Sequence, residues 1–89
     1  MKEIKINAAK LMDKTSMAEY TKKIFSFPSY YGGNLDALRD SMLEIDEETD
    51  IILDNEAVSM ICANDYAYRV LMVMSNAAEE NPNIRILFR

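Results

Sequence analysis

The chain has 89 residues, 49% of them apolar, with 15 acidic against 10 basic side chains, one cysteine and no histidine. That supports one domain over residues 1–89 and is too little chain for two. The net charge of −5 argues against a nucleic-acid binder, whose surface must neutralise phosphates. The lack of histidine removes the commonest general acid/base and the commonest zinc ligand. No apolar run approaches the roughly 20 residues that span a bilayer. The start, Met1-Lys2-Glu3-Ile4-Lys5-Ile6, lacks the apolar core of a signal peptide, so the chain is expected to stay in the cytoplasm.

Residues 2–7 alternate, with Ile4 and Ile6 on one side and Glu3, Lys5 and Asn7 on the other, which predicts a short strand with one buried face. Ser16-Met17-Ala18-Glu19 fits a capping box. Met17, Tyr20, Ile24 and Phe27 follow at helical spacing, and Pro28 is expected to stop that helix. Gly32-Gly33 reads as a turn that permits positive φ. Asn34 then caps a second helix with a buried stripe of Leu35, Leu38, Met42 and Ile45.

Residues 46–50 read as an acidic loop. The unbroken apolar run Ile51-Ile52-Leu53 predicts a central strand covered on both faces. Asp54 or Asn55 caps a short helix through Cys62, a lone cysteine expected to be buried and inert among Val58, Met60, Ile61 and Ala63. Asn64 caps the last helix, striped by Ala67, Val70, Leu71, Met74, Ala77 and Ala78 and ended by Asn81-Pro82. Ile84, Ile86 and Phe88 alternate with Arg85, Leu87 and Arg89 in a final strand. The order is βααβααβ, an α/β architecture in which helical crossovers imply parallel strands. The seven methionines fall mostly on helices and are expected to fill the core.

The stretch from Pro28 to Asp40 is not explained by packing needs. Asp36 and Asp40 lie one helical turn apart on one face, and Glu44 extends the row. Like charges at this spacing cost a helix about 0.2–0.5 kcal/mol. Asp36 recovers some of that near the positive end of the helix dipole, whereas Asp40 lies too deep to do so. Arg39, three residues after Asp36, is placed to neutralise it in part. Tyr30 and Tyr31 stand beside the carboxylates, as aromatics do in binding hot spots, although Tyr31 equally suits the core. Such a surface calls for a basic partner. An enzyme is not expected: two aspartates on one exposed helix face do not oppose each other across a cleft as hydrolysis requires. No loop carries the oxygen-ligand spacing of a calcium site, and no cofactor is expected.

The run Tyr30-Tyr31-Gly32-Gly33-Asn34-Leu35-Asp36-Ala37-Leu38 followed by Asp40 resembles the barstar family, intracellular inhibitors of the bacterial ribonuclease barnase. The pattern P-x-Y-Y-G-x-N-L-D-A-L-x-D is specific. Length, element order and acidic balance extend the likeness over the whole chain. The resemblance implies a three-stranded parallel sheet packed with about four helices. It implies an inhibitor whose second helix, with the loop before it, plugs the active site of a basic ribonuclease or nuclease toxin in a 1:1 complex. In that picture Asp40 takes the place of an RNA phosphate, Asp36 faces further basic groups and Tyr30 stacks near the catalytic histidine. Gly32, Asn34 and Leu35 supply loop and helix-start contacts, with Tyr31 beside them.

This chain departs from the family pattern at four positions. Arg39 stands where the family has a tryptophan, inside the contact surface. Gly33 replaces a glutamate and trims charge from the rim. Asn76 falls at a further acidic contact, with Glu79 one turn along as a substitute. Ser41 replaces a cysteine. These changes favour a ribonuclease other than barnase itself. The protein is thus expected to be a monomeric bacterial immunity protein or antitoxin. The alternative is a small acidic adaptor that docks on a basic protein without inhibiting it.

Overall fold

A computed structural model describes all 89 residues, 1–89. The elements run β1 (Lys2–Lys5), a 3-10 turn (Ala8–Leu11), α1 (Lys14–Ile24), α2 (Leu35–Leu43), β2 (Thr49–Leu53), α3 (Asn55–Cys62), α4 (Asp65–Glu80) and β3 (Ile84–Phe88). This is the expected βααβααβ order with one 3-10 turn added. The strands form one parallel sheet in the order β1-β2-β3. The fold is therefore the α/β, three-stranded, four-helix arrangement implied by the resemblance.

Register explains the packing. Ile4, Ile51 and Ile86 align across the sheet, and with Ile6, Leu53 and Ile84 they form its core-facing side. The core also takes Leu11, Met17, Leu38, Met42, Ile61, Val70 and Met74, all wholly buried. Each such side chain contributes roughly 1.5–3 kcal/mol relative to exposure.

The opposite side of the sheet departs from expectation. β2 is central, but Ile52 is only half-buried, so its outer face is incompletely covered. β2 also starts earlier than the apolar run suggests. Asp50 belongs to the strand, not to an acidic loop, and is 3% exposed. Its register neighbour Arg85 explains how a carboxylate sits there: Nε donates to Oδ1 and Nη2 to Oδ2, both at 2.8 Å. The bidentate guanidinium satisfies a carboxylate that solvent barely reaches. These hydrogen bonds hold the Asp50 carboxyl below its ordinary range.

Five further expectations are corrected. The cap of α1 is Asp13, whose Oδ1 accepts from the Ser16 N–H at 2.9 Å. Ser16 lies inside the first turn, because a carboxylate three residues earlier caps the helix by taking the Ser16 N–H itself. The helix ends at Ile24, before Pro28. Ser26 takes a left-handed conformation (φ 57°), while Phe27 N–H donates to Lys22 C=O and Ser26 N–H to Lys23 C=O. That is a Schellman ending with serine in the position usually held by glycine. Cys62 is exposed, since Ala57 and Ile61 take the buried stripe of α3. Phe88 is 65% exposed at the end of β3. The methionines divide: Met17, Met42 and Met74 are wholly buried, while Met1, Met60 and Met72 are exposed.

Candidate protein-binding face

The face is built on α2 and the loop that feeds it. Asn34 has extended backbone, and its Oδ1 accepts from the Ala37 N–H at 2.7 Å, starting the helix. Gly33, at φ +71°, makes the preceding turn, and a Cβ there would sit 2.8 Å from the Ala18 Cβ. Gly33 is buried against α1. Its glycine is thus required by the backbone and by Ala18, and the position is not a rim from which charge was trimmed. Leu38 and Met42 anchor the inner side of α2 at 0% exposure.

The loop is held by its aromatics. The Phe25 and Phe27 rings stack at 5.2 Å, and Phe27 meets Tyr31 at 4.7 Å. The Tyr31 hydroxyl lies 2.9 Å from Thr21 Oγ1, and the Thr21 hydroxyl donates to Met17 C=O at 2.8 Å. Tyr31 therefore serves as donor in a chain that ends on the backbone of α1. Burial raises the Tyr31 phenol above its usual range, the Thr21 hydrogen bond opposes this, and Tyr66 adds to it. Of the two roles open to Tyr31, the half-buried, hydrogen-bonded one is observed. Its neighbour differs: the Tyr31 N–H closes a turn on Pro28 C=O, and Tyr30 within that turn is 84% exposed.

Gly32, Asn34, Asp36 and Asp40 are exposed, and Leu35 is half-buried. A groove of about 230 Å³ runs between the loop and the end of α2, lined by Tyr30, Phe27, Pro28, Ser41, Glu44 and Glu47 among others. It joins Tyr30 to the residues that follow Asp40. At the other end of α2, Asn34, Leu35 and Asp36 border a notch shared with Lys14 and Tyr66. No group of three or more Cys, Asp or Glu side chains converges to hold a metal ion, and no helix is long and apolar enough to cross a membrane.

α2 packs beside α4 with their C-terminal ends level. The buried Asn81 carboxamide donates to Met42 C=O at 2.9 Å and Ile45 C=O at 3.0 Å, tying the end of α2 and the residues after it to the end of α4. Asn76 and Glu79 are both exposed on α4. Glu79 borders a separate apolar groove with Met72, Ile86 and Phe88, away from α2. Arg39 does not neutralise Asp36. Its guanidinium pairs with Glu80 of α4, because the packed helices bring that carboxylate within reach. The ion pairs are Arg39–Glu80 and Asp50–Arg85, so Asp36 and Asp40 make none.

Glu80, Asn81 and Thr21 carry no signal of their roles in the sequence. Each acts across a tertiary contact. No curated protein matches the chain. The sequence model of the family described as Barstar (barnase inhibitor) matches residues 1–89, the whole length. The chain belongs to the barstar family.

Proposed function

We propose that this protein inhibits a basic ribonuclease by laying α2 and the Tyr30 loop into its active site, with Asp40 occupying the place of an RNA phosphate. The observation that carries the reading is the pair of exposed carboxylates, Asp36 and Asp40, that make no ion pair within the chain. They stand next to an aromatic exposed to 84%. A free carboxylate accepts charge-assisted hydrogen bonds from Arg or Lys that bound phosphate until then. The net charge of −5 speeds encounter with a cationic site.

Membership of a family described as barnase inhibitors supports an inhibitor in place of an enzyme. The complex is 1:1, since one helix fills one cleft, and the 89-residue unit acts as a single domain in the cytoplasm of the producing cell, as an immunity protein or antitoxin. Asp36, Tyr30, Gly32, Asn34 and Leu35 contribute contacts around Asp40. Asn76 gives a weaker contact than an acid would.

The test is RNA hydrolysis by barnase with increasing wild-type protein, and in parallel with Asp40→Ala. The expected result is inhibition saturating at one equivalent, lost in the variant. Binding without inhibition would favour the adaptor reading. No interaction by the folded protein would exclude barnase as the target.

A further inference from the structure

Arg39 is the one cation within α2, and it lies between the two carboxylates that matter most. It follows Asp36 by three residues, a spacing at which helical side chains meet, and it adjoins Asp40. A guanidinium folded back onto Asp36 would occupy it as a partner's arginine would, and it would set a cation beside Asp40. It turns instead to Glu80 on α4. Glu80 is the last residue of that helix, where a carboxylate faces the negative end of the dipole and is disfavoured. Its neighbour Asn81 ties the end of α4 to the carbonyls of Met42 and Ile45, which keeps Glu80 in reach of Arg39.

We propose that Glu80 is a positioning residue: by holding Arg39, it keeps Asp36 and Asp40 free of an internal competitor and available to the partner's cations. The pair is neutral as a unit, so it cancels none of the charge of Asp36 and Asp40. The tryptophan of the family pattern needs no such restraint; the arginine of this chain does. The inference rests on α2 being the inhibitory surface.

Two measurements decide it. In 15N-labelled protein, the Arg39 Nε–H resonance reports where the guanidinium binds. With Glu80 present, Asp36→Asn and Asp40→Asn are expected to move it little. In the Glu80→Gln background the same substitutions are expected to move it clearly more, because Arg39 now rests on those carboxylates. In barnase inhibition, Glu80→Gln is expected to weaken the inhibitor about tenfold, the loss of one well-placed charge contact. Arg39→Gln added to Glu80→Gln is expected to restore it, which the loss of a merely structural contact would not do. An Arg39 resonance equally insensitive in both backgrounds, or equal inhibition by wild type and Glu80→Gln, overturns the proposal. A wild type that leaves barnase active overturns the inhibitor reading for that enzyme alone, and the resonance then decides the role of Glu80.

Discussion

Asp40 and Asp50 are the same side chain in opposite circumstances. Asp50 lies in the central strand at 3% exposure, gripped by two 2.8 Å hydrogen bonds from its cross-strand neighbour Arg85. Asp40 stands on the outside of α2 with no ion pair, although Arg39 is the next residue in the chain. The contrast separates a carboxylate that holds the fold from carboxylates that the fold leaves unpaired. A chain that satisfies one acid so fully, and pairs Arg39 with Glu80 on another helix, is not short of ways to pair its charges.

The contrast breaks first under alanine substitution. Asp40→Ala is expected to remove about 4 kcal/mol or more of binding to the target ribonuclease. That is the upper range for interface hot spots, and the extreme of that general range is itself an aspartate of barstar. Its stability in thermal unfolding should stay within about 0.5 kcal/mol of wild type, as at most surface positions. Asp50→Ala is expected to do the reverse, lowering the Tm by several degrees, with affinity for the ribonuclease unchanged at a temperature where both proteins are folded.

Gly33 comes next, since it supports α2 from behind. Gly33→Ala places a Cβ 2.8 Å from Ala18 at a φ of +71°. Such strain costs about 1–3 kcal/mol, measurable by urea denaturation.

The acid limb of stability sharpens the comparison further. Arg85 lowers the Asp50 pKa in the folded protein, so as pH falls the unfolded chain takes up that proton first. The stabilisation is complete above the unfolded carboxylate value near 3.8 and is lost as pH drops through the lower, folded value. Wild-type Tm is expected to fall more steeply than that of Asp50→Asn below about pH 4, as read by circular dichroism melts. Parallel curves would mean that the Asp50–Arg85 contact contributes nothing in solution.

The smallest effect is a gain. Ser26 holds a left-handed conformation that glycine adopts without the Cβ penalty. Ser26→Gly is expected to stabilise the fold by about 0.5 kcal/mol without altering inhibition.

Features set by near neighbours in the chain were legible in the sequence. The caps Asn34 and Asn64, the stripes of α2 and α4 and the central place of β2 follow from local periodicity and side-chain chemistry. The proposed face stands out for the same reason, because Tyr30, Asp36 and Asp40 sit within one short stretch whose polarity the core does not explain. Sequence and structure part where two local solutions compete or where the deciding neighbour is distant. Asp13 and Ser16 both offer a cap, and only geometry selects Asp13. Asp50 reads as loop until Arg85, in a strand 35 positions away, is set beside it. Arg39 reads as a partner for Asp36 until α4 brings Glu80 to it. Cys62 reads as core in an apolar run, but a helix as short as α3 buries only one narrow stripe.

The carboxamide of Asn81 has one more consequence. By bonding the carbonyls of Met42 and Ile45 from the cap of α4, it ties down the end of the helix that carries Asp40. A partner therefore meets a surface whose backbone freedom was lost during folding. Docking avoids the cost of ordering that backbone, about 1–2 kcal/mol for each residue that would otherwise be fixed at that moment. Rigidity of this kind is expressed mainly in how long a complex lasts. For the inhibitory role proposed above, a long residence on the enzyme counts for more than a faster search.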